Sequence, residues 1–164
     1  MRAQTTRGGI RLARENPDFR CAHCQQWVIS DPLLAGVQHR NHCPHCLWSR
    51  HMDLQQAGDR LAACRGAMRP LGLAMKTSPK RYPGPGELML VHHCTACGQD
   101  SLNRLAADDD PHALLVVFRG LQAMPPGERL RLQAGGIHPL EPEDIFLLHA
   151  RLFGWDAPLD WMKN

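Results

Sequence analysis

Aromatic residues make up only 5% of the 164-residue chain, a small supply of the side chains that dominate hydrophobic cores. Long apolar runs are missing too: the most apolar stretch, Leu114 to Phe118, is far too short to cross a bilayer. The first twenty residues lack the apolar region of a secretory leader, and Met1 to Arg14 contains no acid. An acid-free start suits an organelle presequence weakly. Gly8-Gly9 argues against an amphipathic helix there, so a basic arm over residues 1–17 is expected instead. An even cysteine count is also absent. Seven cysteines cannot all pair as disulfides, and in a chain without a leader they point to metal in a reducing compartment. A soluble, cytoplasmic chain is therefore expected, in which metal staples supplement a modest core.

What is present is concentrated in Arg40 to Asp53, R-N-H-C-P-H-C-L-W-S-R-H-M-D. A CxxC closes a tight turn that aims two sulfurs at one point, which is half of a tetrahedral thiolate site. Cys43 and Cys46 form one such half-site; Cys21 and Cys24 upstream and Cys94 and Cys97 downstream form two more. Eighteen residues separate Cys24 from Cys43, a spacing typical of paired CxxC zinc sites. The first site is therefore expected to be Cys21, Cys24, Cys43 and Cys46.

Two closed sites need eight ligands, and seven cysteines leave one place for a histidine. The second site is expected to take Cys64, Cys94 and Cys97 with His51. Cys64 stands outside any CxxC pair, and a lone cysteine is often a small buried hydrophobe. Gly66 just after it would permit the close backbone approach that a knuckle needs. Among the histidines, His23 and His45 lie inside knuckles, and His42 and His93 directly precede ligands. His51, five residues beyond Cys46, is far enough along to begin a second site, and Asp53 is expected to accept its free N–H. If Cys64 does not bind, the second metal keeps an open position, and His42 and Asp53 become candidates for acid/base work.

The chain between and after these motifs reads as short strands followed by helices. Phe19–Arg20 and Trp27–Ile29 flank the first knuckle as strands, Asp31-Pro32 ends that hairpin, and Leu88–Val91 is a strand feeding Cys94. Lys76 to Gly86, with three prolines and two glycines, is expected to be an exposed loop. Asp110-Pro111 opens a helix over His112–Gln122; Pro125-Pro126 opens another that stops at Gly135-Gly136; Pro142 begins a third that Gly154 closes. Trp155 and Trp161 in the tail are expected to pack back. The resulting fold class is a small α+β protein of zinc-ribbon-type β-hairpins and knuckles stapled by two zincs, with a C-terminal helical extension. The expected divisions are a basic arm (1–17), a double-ribbon domain (18–110) and the extension (111–164).

Charge is uneven. Met1 to Arg104 holds fourteen Lys/Arg against seven Asp/Glu, a balance of +7, and Leu105 onward holds five against nine, −4, together the net +3. A basic metal-binding half suggests an anionic partner, nucleic acid above all. Arg2, Arg7, Arg11 and Arg14 form the arm, Arg40 lies by the second knuckle, and Lys76, Lys80, Arg81 and Tyr82 supply a second basic stretch with one stacking ring. Each of these also suits plain solvation. Asn103, Arg104, Asp108, Asp109 and Asp110 form a dense polar cluster, which is either a functional site or helix capping by Asp110 with solvated neighbours.

These motifs resemble those of the RNHCP-domain family, named for the pentapeptide that stands here as Arg40 to Pro44. The likeness runs through F-x-C-x-x-C (Phe19 to Cys24), the Arg40–Asp53 stretch, G-D-R (Gly58 to Arg60), C-x-G-x-M (Cys64 to Met68), C-x-x-C-G (Cys94 to Gly98) and N-R-x-A-x-D-D (Asn103 to Asp109). It covers residues 18 to 110 and leaves out the arm and the helical tail. The resemblance implies a small zinc-ribbon-like domain and supports Cys64, His51 and Asp53 as site residues. It lifts Asn103, Arg104, Asp108 and Asp109 above simple capping, and keeps His42 as a rival ligand or functional residue. It implies no particular activity. The expected role is a zinc-binding, non-catalytic accessory protein that binds RNA or the ribosome. The alternatives are a zinc-dependent enzyme with an open second site, or an adaptor whose C-terminal helices hold a protein partner.

Overall fold

The computed structural model describes residues 17–78 and 82–156. The arm arginines, Lys80, Arg81, the Tyr82 side chain and Trp161 lie outside what is described. A two-stranded hairpin comes first: β1 (Phe19–Arg20) pairs antiparallel with β2 (Trp27–Val28) around the first CxxC. A one-turn helix, α1 (Pro32–Ala35), follows, capped by Asp31, whose side chain accepts the Leu33 N–H. The central sheet is antiparallel in the order β3 (Ser49–Arg50), β4 (Ala67–Ser78), β5 (Tyr82–Cys94), β6 (Asp100–Arg104).

Period-two alternation along β5 divides the core between the two faces of this sheet. Leu88 and Leu90, with Leu73 of β4, face a cluster built by Leu114, Leu115, Phe118 and Leu121 of α2 (Pro111–Gln122) and Leu148 of α4 (Ile145–Phe153). Val91, with Leu71 and Ala74, faces the other way onto Ile137 and Leu132 of α3 (Pro126–Ala134). A β-bulge between Pro70 and Gly72 lets both Leu71 and Leu73 be buried, on opposite faces. At Gly72 the strand and α2 meet closely: a Cβ there would lie 2.2 Å from Leu121 Cδ2. The helices after Pro111 thus share their core with the metal-binding half.

The helix starts follow the sequence signals. Asp110 accepts the His112 N–H at 2.9 Å with Pro111 in the first turn, Pro126 opens α3, and a 3-10 turn at Pro142–Asp144 leads into α4. Two expectations need correction. Of the stretch from Lys76 to Gly86, the described parts, residues 76–78 and 82–86, are not free loop but belong to β4 and β5, which pair Lys76 with Glu87 and Ser78 with Tyr82. Pro83 and Pro85 are tolerated because β6 stops pairing at Met89, so among the described residues this part of β5 has an open edge that needs no donor. Trp155 does not pack back; it is 82% exposed.

Candidate metal centre

Three turns of one design carry the CxxC pairs. In each, the first cysteine's N–H bonds the carbonyl five residues on: Cys21 to Gln26, Cys43 to Trp48 and Cys94 to Gln99, at 2.8, 2.9 and 2.8 Å. In each, the residue four positions on donates back to the first cysteine's carbonyl, and that residue is left-handed: Gln25 (φ 64°), Leu47 (φ 61°) and Gly98 (φ 77°). Only the third uses glycine, the residue that adopts this conformation without strain. The fourth turn differs: Arg65 is left-handed (φ 52°) and the Gly66 carbonyl accepts the His51 N–H at 2.9 Å.

These turns bring the ligands into two groups of four, Cys21, Cys24, Cys43 and Cys46, and His51, Cys64, Cys94 and Cys97, with ligand atoms within 4.8 Å of one another. Tetrahedral zinc with Zn–S bonds of about 2.3 Å sets sulfurs about 3.8 Å apart. The observed Sγ–Sγ separations are 3.6 Å for Cys21–Cys46, Cys24–Cys43 and Cys64–Cys94, and Cys97 Sγ lies 3.2 Å from His51 Nδ1. A disulfide would require about 2.05 Å. Both groups fit zinc, each with four protein ligands. Without an ion, crowded thiols resist ionising together: burial pushes Cys43 up to about 11, and burial also raises Cys46. Burial opposes ionisation of Cys94 as well, but the Cys97 and Ala96 N–H groups outweigh it and bring that thiol down to about 6. Zinc binds the thiolates and would supply the missing positive charge. The first group is half-buried among Val28 and Phe19; the second leaves Cys64 and Cys97 exposed.

Asp53 does not reach His51. Its carboxylate accepts the Gly58 and Arg60 N–H groups at 2.8 and 3.1 Å and pairs with Arg60 at 3.6 Å, so it shapes the 53–60 loop. His42 is not a ligand either. It is buried, and Nε2 lies 2.9 and 3.0 Å from the two oxygens of Asp109. Arg40, expected on a nucleic-acid surface, is only 2% exposed and donates to Asp108 at 2.6 and 2.8 Å and to Asp109 at 3.3 Å. Asp109 also accepts the Ala106 N–H at 2.7 Å. The Arg40 guanidinium holds the Asp108 carboxyl below its usual range against the opposing effect of burial.

Beneath this latch lies His92, which sequence reasoning missed. Burial drives its pKa down to about 3, so the ring is neutral. Nε2 donates to the Leu47 carbonyl at 2.6 Å, leaving Nδ1 to accept from Asn103 Nδ2 at 2.7 Å. Asn103 therefore belongs to the buried network, whereas Arg104 is an exposed partner of Glu87 at 3.1 Å. Asp110 is the helix cap and not part of a site. No sequence signal marks His92, because a core histidine and a surface one look alike without knowing which way the strand faces.

Beside the first metal group a cleft of about 710 Å³ opens between the first knuckle, β3 and the 58–60 loop. Trp48 and His23 stack in its wall, with ring centres 4.3 Å apart and planes 6° from parallel. Among the described residues no helix is long and apolar enough to cross a membrane.

An antiparallel sheet stapled at one end by a group of four cysteines and a group of three cysteines with one histidine, and carrying helices on both faces, defines a small α+β metal-binding protein. The chain belongs to the RNHCP-domain family, whose family model, described as the RNHCP domain, matches residues 16–115. Neither the curated proteins nor the solved structures contain a match to it.

Proposed function

We propose that this is a cytoplasmic accessory protein whose zinc-ribbon-type hairpins are held by two structural zincs and which binds RNA, on the ribosome or free, without catalysis. The observation that carries the non-catalytic part is the completeness of the second group: Cys64 joins His51, Cys94 and Cys97, so the protein itself supplies all four ligands that a closed site needs. The acid/base candidates of the enzyme reading are otherwise engaged, His42 with Asp109 and Asp53 with backbone N–H groups. Support for RNA comes from the excess of base over acid before Arg104 and from the placement of Arg20, Arg50 and Arg60 on one cleft. Lys76 stands on β4, near the far end of the hairpin.

A second reading, an adaptor, is favoured by a separate observation: Phe146, Phe153 and Trp155 are exposed on and just after α4, and exposed rings at helical spacing suit a protein partner. The deciding experiment measures zinc per chain and RNA binding as a function of salt. Two zincs and an affinity that falls steeply with salt support the proposal. Two zincs with no RNA bound at low salt refute it in favour of the adaptor, and one zinc per chain refutes the closed second site.

A further inference from the structure

We infer that the cleft beside the first metal group is a binding site for a short stretch of unpaired RNA. The inference rests on the RNA-binding reading and gives it a location and a strand type. At about 710 Å³ the cleft falls in the range of roughly 300–1,000 Å³ that takes small ligands, a size for individual bases. Its wall carries a ready-made stack, His23 on Trp48 at 4.3 Å, and a stack of flat rings is extended most naturally by another flat ring. An unpaired base offers its face to such a platform; a base inside a helix already has both faces covered.

The charges around the cleft suit the phosphates that come with such bases. Arg20 from β1, Arg50 from β3 and Arg60 from the following loop converge on it. The Arg50 side chain makes no hydrogen bond or ion pair with the described residues, and Arg20 uses only Nε, on the Gln25 carbonyl at 2.9 Å. The single carboxylate of the lining, Asp59, is held as the anion: it accepts the N–H groups of Gln56, Leu61, Gln55 and Leu54 at 2.8 to 3.0 Å, and these bonds keep its carboxyl well below the usual range. Its charge and the pairing of Arg60 with Asp53 at 3.6 Å offset part of the arginine excess and leave Arg20 and Arg50 to meet phosphate.

The test uses the full chain loaded with zinc, and fluorescein-labelled RNA in single-stranded and duplex form, read by anisotropy across a salt series. The single strand is expected to bind tighter by a factor on the order of ten, the effect of stacking one base. Arg20→Gln with Arg50→Gln should reduce the log–log salt slope by about 1.4, two lost single-strand phosphate contacts. His23→Ala should weaken binding by about fivefold or more with the slope unchanged. Zinc content and melting temperature, measured on each variant, establish that the fold is intact. Duplex bound as tightly as single strand, or folded variants that bind like the parent, would overturn the cleft while leaving RNA binding in place. No binding of either RNA by the parent protein at low salt would overturn both.

Discussion

Arg40 and His42 reach the same carboxylate, Asp109, from two sides, and Cys43 beside them is a metal ligand. The rest of the pentapeptide is backbone work: the Asn41 carbonyl accepts the Ser49 hydroxyl at 2.9 Å, and the Pro44 carbonyl accepts the Asp110 N–H at 3.0 Å. The motif therefore ties the second knuckle to the entry of α2. Removing Asp109 would leave Arg40 buried without one of its partners. Asp109→Ala is expected to cost about 3–5 kcal/mol, read by denaturant unfolding with zinc in excess; a loss under about 1 kcal/mol would show that the latch is dispensable. Asp108→Asn should cost less, since Asp108 is half exposed and solvent screens it. At the second metal, Cys64→Ser should lower bound zinc from two per chain to one, measured by elemental analysis; unchanged stoichiometry would remove Cys64 from the ligand set. Spacing made the six CxxC cysteines legible; it left Cys64 and the choice of histidine open, and the family resemblance supported Cys64 and His51, the residues that complete the second group. The role of His42 was not legible, because spacing places a residue near a site without saying which way its side chain points.

At the scale of the element, the knuckle is the recurring unit. Its two hydrogen bonds and one left-handed residue repeat at Cys21, Cys43 and Cys94. The CxxC signal reveals the unit, but Gln25 and Leu47 give no hint of positive φ, since a non-glycine residue is held there only by the surrounding bonds. The fourth turn depends on Gly66: a Cβ there would lie 2.7 Å from Ala96 Cβ and 3.0 and 3.1 Å from the sulfurs of Cys94 and Cys64. Gly66→Ala is therefore expected to weaken zinc at the second site by a factor on the order of 10–100, the usual effect of disturbing a ligand's support. Competition with a metal-sensitive dye checks this, and the first site should titrate as before. The hairpin of β4 and β5 was only half legible. Pro83, Pro85 and Gly86 look like loop until the open edge of β5 is known.

In the whole molecule, stability has two sources that occupy different regions. The β1–β2 hairpin has two residues per strand and a small core of Cys21, Val28 and Cys43, too little to hold without metal. The sheet has Leu73, Leu88 and Leu90 packed on α2 and α4. Chelation is expected to abolish hydrogen-exchange protection in residues 19–28 and 41–50 while β4 and β5 stay protected. Loss of protection throughout would mean that the sheet, too, depends on zinc. Caps and prolines made the helices readable from the sequence. Their packing on the metal-binding half was hidden, because an apolar helix face does not name the surface it covers.

The two ligand sets follow one another along the chain without interleaving, the first ending at Cys46 and the second beginning at His51. Each ion thus closes its own loop, and neither has to wait for the other's ligands. On a ribosome the first set is complete as soon as Cys46 emerges, before any ligand of the second has emerged. The second is completed only by Cys97, after both long strands have been synthesised. Interleaved ligands would leave half-filled thiolate sites exposed to mispairing throughout translation; consecutive ones let the amino-terminal staple close first and the sheet form against it.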